Sequence, residues 1–198
     1  MTTVIVKNRR SIFENTRLRI FADHIADVKG NEVQDYVVIA PRNQDSHLVS
    51  GIAVLPIHRE NILMLKSHRH AVSRTVWEIP RGFLDSHEAP DRAALRELQE
   101  ETGLLCAPEK LRPLGIIQPE PGILAARVAL FAAIECFPGG EVLDDEIGIG
   151  DRVWFPISEV QRMLSNFEIE EASTSIALYR YFLSLSGGEA RDYTPFGS

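Results

Sequence analysis

Residues 82–104 read GFLDSHEAPDRAALRELQEETGL, and their spacing decides the fold. Gly82 is followed after five residues by Glu88 and, after seven more, by the run Arg96-Glu97-Leu98-Gln99-Glu100-Glu101-Thr102-Gly103-Leu104. A random chain of average composition and this length would meet such a pattern on the order of once in ten million. Local signals predict a helix over 90–102. Pro90 suits a first helical position, Asp91 lies in the first turn where the helix dipole favours anions, and Gly103 can turn left-handed just past the end. Ala94, Leu95 and Leu98 recur at helical spacing as an apolar stripe, whereas Glu97, Glu100 and Glu101 gather on another side.

An ordinary solvated helix, its glutamates paired with Arg92 and Arg96, would carry the same charges. Two features favour a functional site. Carboxylates crowded near a helix C-terminus, whose dipole already repels anions, cost stability unless a cation is held there. Gly82 also falls at a strand-to-loop junction, where a backbone carbonyl could join those carboxylates around a hard metal.

The pattern resembles, without departure, the defining box of the Nudix hydrolase family. That resemblance implies cleavage of a diphosphate linked to another moiety, using Mg²⁺ or Mn²⁺ and water. It implies an α/β/α sandwich with a mixed sheet, in which the box forms a loop, a helix and a loop. Carried over by position, Glu97 and Glu101 are the expected principal metal ligands, Glu100 a further or alternative ligand, and the Arg81 carbonyl a backbone ligand. Arg96, with Glu88, is expected to orient the acidic cluster. Attack on a diphosphate needs a deprotonated water and neutralisation of the leaving oxygens, which hard cations on those glutamates supply. The family often adds a general base from a mobile loop. Glu146, just before the strand predicted at Arg152 to Phe155, is the first choice here, with Glu141 and Asp145 as rivals; a plain solvated acidic loop is the alternative.

Composition is that of a compact enzyme. The 198 residues are 44% hydrophobic and 25% charged, enough for one well-buried domain with extensions. No apolar run has the length of a signal peptide core or a membrane helix, so a cytoplasmic location without membrane partners is expected. A net charge of −7 argues against general affinity for nucleic acid but leaves small nucleotides open. Cys106 and Cys136, too few and too distant for a zinc site, are expected as buried reduced thiols.

Alternation and turn residues predict strands at Leu18 to Asp27 and Val33 to Pro41, joined at Lys29-Gly30-Asn31. Further strands are expected at Gly51 to Leu55, Asn61 to His68, Val76 to Ile79, Leu114 to Gln118, Val128 to Cys136 and Arg152 to Phe155. Pro138-Gly139-Gly140 reads as a break. A short helix is expected to open near Ser158, and a longer one to run from about Glu170 to Ser184, partly buried through Ile176, Leu178, Tyr181 and Phe182. The expected organisation is an N-terminal antiparallel β extension over 1–45, a Nudix domain over 46–187, and a loose tail over 188–198.

The extension, the run His68-Arg69-His70-Ala71-Val72 and the segment Trp77-Glu78-Ile79-Pro80-Arg81-Gly82 resemble the ADP-ribose pyrophosphatase branch of the family. By that resemblance the extension forms a homodimer, Arg69 contacts substrate, and Glu78 lies near the nucleotide or metal, with Gly82 beside them. Taken alone, Arg69 reads as a surface cation on a strand end. Trp77 is expected to pack. Pro119 and the Pro121-Gly122 turn fit the branch, but Glu120 stands where it has a serine and Ala126 where it has a glutamate, removing a polar contact to the terminal ribose. ADP-ribose leads the expected substrates, with GDP-mannose and dinucleoside polyphosphates as alternatives. A non-catalytic Nudix-fold regulator is the contrasting class; such proteins show a damaged box or a DNA-binding appendage, and neither is seen here.

Overall fold

The computed structural model describes residues 3–140, 142 and 147–186. Three strands come first: β1 (Val4–Glu14), β2 (Leu18–Asp27) and β3 (Glu32–Pro41) form an antiparallel sheet in that order. The chain continues through β4 (Val49–His58), β5 (Asn61–Arg69), β6 (Arg74–Glu78), β7 (Arg81–Phe83) and helix α1 (Pro90–Thr102). Then follow β8 (Leu104–Leu105), β9 (Leu111–Ile117), β10 (Arg127–Ile134), β11 (Phe137–Pro138), β12 (Ile149–Pro156), α2 (Ile157–Ser165) and α3 (Ala172–Leu185).

The main sheet runs β12-β5-β4-β10-β9, with β6 added to β5 and β7 to β4. It is mixed, because β10 lies parallel to β4 while its other pairings are antiparallel. Strand β4 is buried along nearly all of its length, so its two faces must serve two cores. Ala53, Leu55 and Ile57 join Val160 and Met163 of α2 and Ala177 and Leu178 of α3 on one side. Ile52 and Val54, a step out of phase, join Ala93, Ala94 and Leu98 of α1 on the other. Strand β10 divides likewise, Leu130 and Ala132 against Ala129, Phe131 and Ala133. The result is the expected α/β/α sandwich with an antiparallel sheet before it. Each fully buried aliphatic side chain contributes roughly 1.5–3 kcal/mol relative to exposure.

One irregularity builds the site. Strands β4 and β5 pair only at Ile57–Ile62 and His58–Asn61, beside their hairpin turn, and then separate. Beyond that point β6 takes the edge of β5 and β7 takes the edge of β4. The chain crosses the gap at Ile79 and Pro80, whose carbonyl accepts the Val54 N–H at 2.9 Å. The gap closes tightly at Gly51, where a Cβ would lie 2.8 Å from the Gly82 carbonyl oxygen.

Helix α1 begins and ends where its local signals place it, with Gly103 left-handed at φ 68°. Several elements differ from expectation. Strand β1 falls where no strand was anticipated: every one of its residues is exposed, so no alternation marks it. Strands β7, β8 and β11 are too short to show a period, and Pro138 lies inside β11 rather than in the break after it. Helix α3 starts at Ala172, two residues later than about Glu170, because Glu171 is its cap. The expected tail falls outside the described residues.

Replacing Gly51 with Ala should lower unfolding stability by about 1–3 kcal/mol, since the added methyl meets backbone on the facing strand. Urea denaturation reads this directly, and an unchanged midpoint would show that β4 and β7 can part without cost.

Candidate active site

The box helix packs its apolar face inward and aims its acids toward β7. A Cβ at Gly82 would overlap the Glu97 carboxylate as it lies, so a larger residue there would push that side chain aside. Glu101 is 1% exposed, and its Oε2 accepts the Arg81 N–H at 3.1 Å. Glu97 is 8% exposed. The segment at Arg81 and Gly82 therefore lies against both glutamates, which come from α1 one turn apart.

Arg96 organises the remaining acids. Its Nη1 donates to Glu97 Oε1 and Glu100 Oε2, each at 2.8 Å. Its other nitrogens grip Glu88 through Nε at 2.9 Å and Nη2 at 2.8 Å, and Nη2 also reaches the Phe83 carbonyl. Glu88 in turn accepts the Asp85 N–H. The pair Arg96 and Glu88 thus ties the helix to the loop before it. The hydrogen bond from Arg96 holds the Glu88 carboxyl below its ordinary 4.5, outweighing partial burial, and the same bond raises Arg96.

Arg69 and Glu78 are brought together across β5 and β6. The guanidinium clasps the buried carboxylate through Nε at 3.0 Å and through Nη2. Arg69 is thus more than a surface cation. Trp77 packs edge-on to Phe155 at 5.1 Å, as anticipated. Glu141, Asp145 and Glu146, the candidate bases, lie outside the described residues.

A cleft of about 690 Å³ joins these groups to the N-terminal sheet. Arg69, Arg81, Arg96, Glu97 and Glu100 line its charged side. Leu18 and Ile39 of that sheet, with Leu124, Ala126 and Val128, line its apolar side. The sheet is held there by a bridge between Ile39 and Leu124, and by Tyr36, whose hydroxyl donates to the Gly122 carbonyl. Sequence analysis missed Arg17, also in this wall, because the turn carrying it was recognisable only with β1. It also missed Glu171, which takes Arg81 Nη1 at 2.6 Å. An acid two residues before Ser173 and three before Thr174 is a capping signal that could have shown it.

The oxygen-only donor set and the glycine cradle fit a small hard cation. Among the described residues, however, no three His, Cys, Asp or Glu side chains are grouped closely enough to hold a metal as they stand. Glu97 and Glu100 each give one carboxylate oxygen to Arg96, which leaves the second oxygen of each outside that bond. The guanidinium thereby supplies part of the charge compensation that the crowded glutamates demand. Cys106 and Cys136 are free, buried thiols, and burial pushes Cys136 up to about 12. No described helix is long and apolar enough to cross a membrane.

A family model described as NUDIX domain matches residues 47–176, more than half of the chain. An ADP-ribose pyrophosphatase of Bacillus subtilis is 28% identical over 85% of this chain and 92% of its own length. A CMP-5'-(N-acetyl-N-hydroxy-3-aminopropyl)phosphonate hydrolase of Streptomyces rubellomurinus is 29% identical over 81% of this chain and 74% of its own. Among solved structures, an ADP compounds hydrolase superposes with a TM-score of 0.74, covering 93% of this chain and 96% of that one at 17% identity. That likeness is one of fold.

Because Glu88 is held below its ordinary range, its contribution to stability is present above about pH 4.5 and is lost as pH falls through the lower folded value. Glu88→Gln should therefore flatten the decline in stability between about pH 5 and pH 3. Denaturation midpoints across that window test this; a variant with the wild-type slope would remove Glu88 as a source of acid sensitivity.

Proposed function

Since this chain belongs to the NUDIX family and is a pyrophosphohydrolase of it, we propose that it hydrolyses a nucleoside diphosphate linked to another moiety, ADP-ribose foremost, giving AMP and ribose 5-phosphate. The observation that carries this reading is the placement of buried Glu97 and Glu101 against the side-chain-free backbone at Gly82. The ADP-ribose pyrophosphatase among its relatives, similar over most of both chains, supports ADP-ribose as the first substrate to test.

In this reading Glu97, Glu100, Glu101 and the Arg81 carbonyl hold a divalent cation, Mg²⁺ or Mn²⁺, which supplies neutralisation of the bridging and leaving oxygens. The protein's own residues do the positioning. The Arg81 N–H fixes the Glu101 carboxylate. Arg96 orients Glu97 and Glu100 and keeps the loop at Glu88 in register with the helix. Arg69, aimed by Glu78, presents positive charge to the diphosphate from the opposite edge of the gap. Glu146 accepts the proton of the attacking water, an assignment that rests on its place in the sequence, with Glu141 and Asp145 as the other loop acids.

Ala126 is 6% exposed in the apolar wall of the cleft, where the ADP-ribose branch has a glutamate. This favours a second reading, in which the distal moiety is less polar than ribose. A panel of ADP-ribose, GDP-mannose, UDP-glucose, dinucleoside polyphosphates and coenzyme A, with and without Mg²⁺, decides between them by phosphatase-coupled phosphate release. Metal-dependent turnover of ADP-ribose is expected, with Glu101→Gln lowering kcat by roughly a thousandfold or more while the fold is kept. Near-normal activity of that variant would overturn the ligand assignment, and no turnover on any substrate would favour a binding module.

The N-terminal sheet is the proposed dimer surface, within an extension over 1–45 that precedes a Nudix domain over 46–187. Val4, Ile5, Val6, Ile12 and Phe13 are about half exposed along β1, more apolar edge than a lone sheet ordinarily leaves open. Sedimentation equilibrium should give twice the chain mass; a monomer at micromolar concentration would discard this part of the reading.

A further inference from the structure

The cap of α3 and the side chain of Arg81, at the start of β7, share one carboxylate. Glu171 caps α3, accepting the Ser173 N–H at 3.1 Å and the Thr174 N–H at 2.7 Å. The Thr174 hydroxyl donates to it at 2.8 Å and itself accepts the Ile79 N–H at 3.1 Å. The remaining oxygen lobe of Glu171 takes Arg81 Nη1 at 2.6 Å. Arg81 then returns to the site through its own backbone, the N–H binding Glu101 Oε2.

These bonds form a closed circuit. Ile79 and Arg81, which flank the crossing between β5 and β4, are held at one by a hydroxyl and at the other by a carboxylate of the same helix turn. Ile79 and Thr174 are wholly buried, and the Glu171 side chain is only 15% exposed, so little water competes with the circuit. Burial alone would push the Glu171 carboxyl up, but Arg81 and the Thr174 and Ser173 donors outweigh it and leave it lowered, so it is ionised as the pairing requires. An ordinary cap needs none of this: a serine or aspartate would satisfy the α3 amides without reaching Arg81.

We infer that Glu171 is a positioning residue for the reaction, a tether that acts through the Arg81 guanidinium to set the Arg81 backbone against Glu101 and thereby tunes cation affinity. The inference rests on the reading of Glu101 and the Arg81 carbonyl as cation ligands. Glu171 touches neither substrate nor cation. Its influence is geometric, because a shift of about 1 Å in a ligating group can cost as much as a hundredfold in rate.

The test measures Mn²⁺ affinity by electron paramagnetic resonance, alongside kcat and KM for ADP-ribose and thermal unfolding without metal. Glu171→Gln keeps an acceptor for the α3 amides but removes the charge that pairs with Arg81. Arg81→Gln breaks the same pair from the other side and leaves the α3 cap intact, so a folding defect in the first variant does not spoil the test. Each should weaken Mn²⁺ binding and lower kcat by about tenfold; KM should stay within about twofold in Glu171→Gln, whereas Arg81→Gln also takes a charge from the cleft wall and is read by Mn²⁺ affinity and kcat. The double variant should fall no further than the singles, and Arg81→Lys should recover part of the loss. Variants that only melt earlier, with wild-type Mn²⁺ affinity and kcat, overturn the tether, as does strict additivity in the double variant. A wild type that binds Mn²⁺ without hydrolysing any substrate, with weaker binding in Glu171→Gln, sinks the hydrolytic reading and supports the tether. A wild type that binds no Mn²⁺ overturns both.

Discussion

Two backbones meet at Gly51 and Gly82 with no room for a side chain, and the site depends on that approach. At Gly51 the obstacle to a methyl group is the carbonyl of the facing strand, so β7 is pressed onto β4. At Gly82 it is the Glu97 carboxylate, so the same short strand is also pressed against the box helix. A three-residue strand is thus held from both sides. It can remain extended only because β5 has turned away to pair with β6, leaving the edge of β4 vacant for it. The irregular sheet and the acidic cluster are consequences of one packing constraint.

Electrostatics then determines how the acids are stored. Glu88, Glu97 and Glu100 all converge on Arg96, which spans the loop, the helix and the Phe83 carbonyl. The arrangement is partly buried, with Glu97 itself buried, and losing Arg96 would leave that buried carboxylate without this partner. The acidic face is therefore preorganised and partly neutralised by Arg96, which helps keep like charges close.

Legibility in the sequence followed the range of the interactions. Helix α1 was readable to its ends because Pro90, Asp91 and Gly103 act within a turn of themselves. The buried strands β4, β5 and β10 were readable as apolar runs, though their ends moved by up to three residues where pairing continues past the apolar core. Strand β1 was not readable, since both of its faces are exposed and its bonding partner, β2, is distant in its effect on composition. Glu171 was hidden for a different reason. Its two roles, helix cap and partner of Arg81, join positions ninety residues apart, and only the first has a local signature.

The sequence by itself determined the chemistry of the box, because the spacing of Gly82, Glu88, Arg96, Glu97, Glu100 and Glu101 fixes which groups a short helix and its preceding loop can present. It also implied the layered architecture, through the family resemblance that the box carries. Tertiary structure alone decided that the N-terminal sheet walls the cleft at Leu18 and Ile39, where Ile39 bridges to Leu124. It also decided that α3 reaches the site through Glu171. These are contacts between segments far apart in the chain, set by which strand edge is left open and which backbone can come close, and no local pattern of residues encodes either.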